Sequence, residues 1–115
     1  MVELTVLNFL EQRLPYPVYM EKPVDEPERY YMLRKTGGDR ENYVDSAIFV
    51  VMSYAESMLE AAKMNETAKN EMDNLIELDA ISASKRNGDY PFPDTQTKRY
   101  RYQTVHNITY FLEER

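Results

Sequence analysis

Cysteine and tryptophan are absent from the chain. Without cysteine there is no disulfide framework and no thiolate metal site, and the lack suits a cytosolic setting. No apolar run approaches the roughly 20 residues that a membrane-spanning helix needs. Met1-Val2-Glu3-Leu4 shows neither a basic n-region nor a long apolar stretch, so no signal peptide is expected. Glycine is scarce. Gly37-Gly38 is too short for a phosphate loop and lies in neither G-x-G-x-x-G nor G-x-x-x-x-G-K-[ST]. Histidine occurs once, as His106 between Val105 and Asn107, with no Ser, Cys or His at catalytic spacing. A packed or hydrogen-bonded strand histidine explains it better than a general base.

What is present is ordinary globular material with a marked charge. The length of 115 residues fits one domain with one modest core, residues 1–115. The formal net charge is −6, so most of the surface repels nucleic acid and binding would need a local basic patch. Such a charge suits a protein that works beside DNA without holding it. Ten Tyr and seven Met stand out against four Phe. Both types favour adaptable, partly wet contact surfaces. Tyr also fills half-buried strand positions with no further role.

The pattern along the chain predicts an α+β domain. Val2, Val6, Leu7, Leu10 and Leu14 recur at helical spacing, giving a helix over 2–14 that Pro15 and Pro17 end. Val18 to Glu21 reads as a short edge strand and Arg29 to Lys35 as a second strand. Gly37-Gly38-Asp39 reads as a hairpin turn within an exposed polar loop, 36–42. Tyr43 to Met52 is the central strand, with Ile48, Val50 and Met52 on one side and Ala47, Phe49 and Val51 on the other. Ile48 to Val51 should therefore be buried. Ser53-x-x-Glu56 reads as a capping box opening a helix to about Leu78. Its apolar stripe is Ala55, Met58, Leu59, Ala62, Ala68, Met72, Leu75 and Ile76, with a possible break at Asn65-Glu66-Thr67. Ala80 to Arg86 is a fourth strand, turned by Asn87-Gly88-Asp89. Pro91-Phe92-Pro93-Asp94 is an extended loop, and Thr97 to Phe111 a long final strand with room for a bulge. The expected architecture is a mainly antiparallel or mixed sheet of four to five strands, with an N-terminal helix and a long central helix packed on it.

No motif in this pattern carries catalytic chemistry. Glu66, Glu71, Asp73, Glu77 and Asp79 form an acidic run in which Glu66, Asp73 and Glu77 fall near one helical face. A solvated face accounts for such a run without EF-hand spacing or a His or Cys to join it. Lys98-Arg99-Tyr100-Arg101-Tyr102 is the one basic-aromatic cluster. Strand alternation puts Arg99 and Arg101 on one face and Tyr100 and Tyr102 on the other, so ring and charge do not share a nucleic-acid surface. Contact with another protein fits better, with Tyr and Arg as anchors.

Several stretches together resemble the tail terminator, or tail completion, proteins of long-tailed phages and of prophages in Gram-positive bacteria. They are Val18-Tyr19-Met20-Glu21-Lys22-Pro23, Arg34-Lys35-Thr36-Gly37-Gly38 and Val50-Val51-Met52-Ser53-Tyr54-Ala55-Glu56-Ser57. Asn87-Gly88-Asp89-Tyr90-Pro91-Phe92 and Asp94-Thr95-Gln96-Thr97-Lys98-Arg99-Tyr100-Arg101-Tyr102-Gln103 complete the set. The resemblance implies a virion subunit assembled in the bacterial cytoplasm into a ring, typically of six. The ring would cap the finished tail tube and offer a surface for head attachment. Its implied partners are other copies of itself, the major tail tube protein and the head–tail connector. DNA passes through the lumen without specific binding, and neither enzyme activity nor cofactor is implied. Candidate interface residues are Gly37, Gly38, Asp39, Arg40, Phe92, Arg99, Tyr100, Arg101 and Tyr102. The other readings are a different neck protein, such as a head-completion or connector subunit, a small nucleic-acid-binding module using Arg99 and Arg101, and an enzyme around His106.

Overall fold

A computed structural model describes residues 1–41, 44–93 and 99–111. Helix α1, Val2–Arg13, buries Val2, Val6, Phe9 and Leu10 on one side. Phe9 joins the buried stripe, and Leu7, expected in it, is only half-buried. Leu14 turns extended, at φ −85° and ψ 145°, because Pro15 disfavours helical backbone at the residue before it. Strand β1, Val18–Tyr19, then runs parallel to the start of β2, Tyr30–Glu41. Strand β3, Val44–Ala55, and β5, Tyr100–Tyr110, pair antiparallel, and β4, Ile81–Pro91, pairs antiparallel with β5. The result is a five-stranded mixed sheet in the order β1-β2-β3-β5-β4, with β3 at its centre. Helix α2, Met58–Asp73, and a short 3-10 turn, Asn74–Glu77, lie on the same face of the sheet as α1.

The α+β class, the edge strand and the central strand are as the sequence predicts. Two turns are not. Gly37-Gly38-Asp39 lies inside β2, which stays paired with β3 out to Glu41 opposite Val44. Asn87-Gly88-Asp89 likewise lies inside β4. None of the three glycines adopts a positive φ. Each pair of strands instead absorbs the irregularity as a bulge, at Thr36 and at Asn87, and the ladder continues. Residues 42 and 43, between β2 and β3, lie outside the described residues. In β5 the pairing with β3 is unbroken from Tyr110 opposite Asp45 to Tyr100 opposite Ala55. The bulges of that half of the sheet belong to β4, and positions 97 and 98 of the expected final strand lie outside the described residues.

The helix start and its phase also differ. Ser53 stays in β3, buried and paired with Tyr102, because the apolar run keeps its ladder partner. The cap is Ser57, whose Oγ accepts the Glu60 N–H at 3.2 Å. Helix α2 runs unbroken through Asn65–Thr67. Its buried face is Ala61, Met64, Asn65, Ala68, Lys69 and Met72, followed by Leu75. Leu59 and Ile76, expected inside, are 64% and 60% exposed. The inward turn of Asn65 and Lys69 shifts the stripe, since both reach Asp89 of β4, each at 3.0 Å.

The main core lies between helices and sheet, and β3 supplies Ala47, Phe49, Val51 and Ala55 to it. A smaller cluster on the opposite face gathers Tyr30, Met32, Val50, Met52 and Tyr54. Ile48, expected buried, is 38% exposed. Its neighbour across the ladder is Gly37, which has no side chain to cover it. Replacing fully buried Phe49 with Ala should cost about 3–5 kcal/mol by urea denaturation. A loss under about 1 kcal/mol would place Phe49 outside the main core.

Candidate functional site: the open face of the sheet

Both helices sit on one side, so strand alternation assembles a second, helix-free surface. Arg34 and Gly37 of β2 stand beside Val50 and Ile48 of β3. Gln103, Val105 and Asn107 of β5 follow, opposite Met52, Val50 and Ile48. Lys85 and Tyr90 of β4 complete the row opposite Asn107 and Gln103.

One end of this face is closed by a stack of rings and guanidinium groups. Tyr30 and Tyr54 lie parallel, with centroids 4.6 Å apart, and Tyr19 meets Tyr30 edge-on at 5.8 Å. Arg101 covers Tyr54 at 5.5 Å and Phe92 at 4.3 Å from the ring centroids. It also donates to Tyr54 Oη and to the Phe92 carbonyl, both at 2.8 Å. Arg99 lies over Tyr30 at 5.6 Å and donates to the carbonyls of Pro27 and Glu28. Tyr30 in turn donates to the Glu26 carboxylate, and its own ionisation is pushed up, first by burial and then by that bond. Arg99 and Arg101, candidates for contact with another protein, are thus both engaged inside the chain. Outside the stack, Arg29 pairs with Glu56, and its guanidinium hydrogen bonds hold the carboxylate down at about 2.

The other end is open. A shallow cavity of about 590 Å³ lies over Gly37, Gly38, Ser46, Ile48, Ala83 and Asn107, with Asp39 and Lys85 also in its lining. Small residues lower its rim: Gly37 on β2 beside Ile48, and Ala83 on β4 opposite Thr109. A smaller hollow of about 340 Å³, lined by Arg34, Val50, Phe92, Arg101 and Gln103, links it to the stack.

The candidate residues thus divide. Gly37, Gly38 and Asp39 meet in the cavity. Phe92, Arg99 and Arg101 meet in the stack. Arg40 faces the helix side, 3.9 Å from Asp45, and Tyr102 packs against the main core. Tyr100 is 45% exposed. Ile48, Lys85 and Asn107 were not among the candidate site residues, because only the ladder register shows that they share a face with Gly37.

On the helix side the acidic run is spread over separate ion pairs. Glu66 meets Lys69 at 2.8 Å, Asp73 meets Arg86 at 2.6 Å, and Glu77 meets Arg13 at 2.7 Å. Among the described residues, no group of three His, Cys, Asp or Glu side chains is placed to hold a metal ion. Also among them, no helix is long and apolar enough to cross a membrane. His106 is fully buried and shares a 2.9 Å hydrogen bond with Thr104 Oγ1. Burial is the main cause that lowers its pKa from 6.5 to about 4, so it is neutral at neutral pH. No protein-family model matches the chain, and no curated protein matches it closely enough to count as a relative.

Two measurements check this site. The unfolded chain binds the His106 proton before the folded one does, so stability is full above about pH 6.5 and drains as pH falls toward 4. Between about pH 7 and pH 5 the loss should be about 2 kcal/mol, and His106→Gln should flatten that slope. An unchanged slope in the variant would mean the titration belongs elsewhere. In the stack, Arg101→Glu should destabilise by about 1–3 kcal/mol. Lys85→Glu, exposed on the same face, should stay within about 0.5 kcal/mol of the parent, and equal effects would deny the stack its sealing role.

Proposed function

We propose that this chain is a non-catalytic assembly subunit of a phage tail, one that forms a ring capping the tail tube and presents the surface to which the head attaches. The observation that carries the assembly role is the open face itself. It combines an exposed apolar side chain, Ile48, a cavity of small residues and basic groups at Arg34 and Lys85. The helix layer opposite carries exposed Glu11, Glu66, Glu77 and Asp79. Two unlike faces on one subunit suit head-to-tail contact, the kind that closes into rings.

Support for the tail comes from the stretches that resemble terminator proteins. Tyr19, Tyr54, Phe92 and Arg101 come from four of those stretches, and they meet in or beside a single ring stack. The engagement of Arg99 and Arg101 by carbonyls and rings weighs against the nucleic-acid module, since phosphate contact would have to compete with those bonds. In this reading the net charge of −6 keeps DNA in the lumen from sticking.

Deleting the chain from its phage should give overlong, headless tails in electron micrographs. Tails of normal length that fail only to join heads would point to another neck protein. Purified chain should bind double-stranded DNA at physiological salt no tighter than about 10⁻⁴–10⁻⁶ M. Nanomolar binding that Arg99→Ala abolishes would overturn the proposal.

A further inference from the structure

The geometry points to one occupant for the open cavity: the outer stripe of α1 from a second copy of this chain. This rests on the ring reading in taking the partner to be a like subunit, and it adds which two surfaces meet. In α1, Leu4, Asn8 and Glu11 follow helical spacing on the side turned from the core, and Leu4 is 51% exposed. The stripe presents one apolar knob and one carboxylate. The cavity presents the matching pair, Ile48 beside Gly37 and, across Asn107, Lys85 at the β4 side. No ion pair engages Glu11 or Lys85 among the described residues.

The spacings agree as well as the charges. Leu4 and Glu11 are two helical turns apart, about 10.5 Å along the axis. Ile48 and Lys85 are separated by β5 alone, through Asn107, so they stand two strand spacings apart, about 10 Å. A helix laid across the strands therefore seats Leu4 on Ile48 while Glu11 reaches Lys85. The outer stripe of α2 repeats the spacing in Leu59 and Glu66 but fits less well, because Glu66 is already paired with Lys69 at 2.8 Å and exposed Lys63 stands between them, where it would meet the basic groups of the face. The contact joins unlike surfaces, so each subunit keeps a free α1 or a free cavity until the assembly closes.

The absence of cysteine makes the test direct. Leu4→Cys and Ile48→Cys alter exposed side chains, and each variant should unfold at the parent's temperature. When mixed and mildly oxidised, in concentrated solution and on purified tails, the two chains should form a disulfide-linked dimer. A single chain carrying both changes should form a ladder. Lys85→Glu should lower the cross-linked yield at least about tenfold, and Glu11→Lys in the partner should restore it. Leu4→Cys linking only to itself, a protein other than this chain captured at Ile48→Cys, or no disulfide in either setting would each overturn the contact. The ring reading fails separately, if tails keep normal length when the chain is deleted. Overlong tails together with no disulfide between positions 4 and 48 would sink the contact alone.

Discussion

A sheet with helices on one side only must seal its other side with its own side chains, and the rest of this structure follows from how it does so. Val50 and Met52 are apolar, and both lie under 10% exposed with no helix above them. Their shield is lateral: Tyr30 and Tyr54 stacked together, Arg101 laid over Tyr54 and Phe92, and Arg99 anchored on the carbonyls of 27 and 28. Arginine suits this task because its planar group covers a ring while its edge still donates hydrogen bonds. Lysine, a compact point charge, would cover less and bond fewer acceptors. The basic-aromatic alternation that looks like a surface motif in the sequence is thus a lid on the minor core.

The helix side is tied differently. Main-core packing is apolar along α1 and the middle of the sheet, but the contact of α2 with β4 is polar. Asn65 and Lys69 meet Asp89, Arg86 meets Asp73, and Ser84 donates to the Met72 carbonyl at 2.7 Å. Strand β4 is exposed at most positions, so it has little apolar surface to offer a helix. Hydrogen-bonded polar groups take the place of that surface, and of these Asn65 and Lys69 are buried, where an unpaired donor is costly. The buried amide of Asn65 therefore fixes the helical phase, at the cost of exposing Leu59 and Ile76.

This division explains what the sequence reveals and what it hides. The central strand and the first helix are legible because their periodicity is apolar and local, as in Phe49 and Val51 or Val6 and Leu10. The fold class follows from element order. The two glycine segments mislead because glycine signals a turn only where nothing else claims its backbone. In β2 and β4 the ladder claims it, and the bulges at Thr36 and Asn87 take up the irregularity. The capping box misleads by one turn because Ser53-x-x-Glu56 and Ser57-x-x-Glu60 have the same spacing. Pairing with Tyr31 on one side and Tyr102 on the other keeps Ser53 in the strand. The inward turn of Asn65 and Lys69 depends on Asp89, 20 or more residues on, which no local pattern records.

The same non-locality governs the open face. Gly37 is visible in the sequence as a glycine, but its effect is on Ile48, whose exposure arises because the neighbouring strand has nothing to lay over it. An alanine at 37 would meet Ile48 Cδ1 at an ordinary 3.7 Å, so the space is open and no steric demand forces glycine there. The backbone does not require glycine by conformation either, since φ is not positive. What glycine does at this position is lower one wall of the cavity, as Ala83 lowers the other. The cavity end of the face thus differs from the stacked end, where Tyr30, Tyr54, Phe92 and Arg101 are already packed on one another.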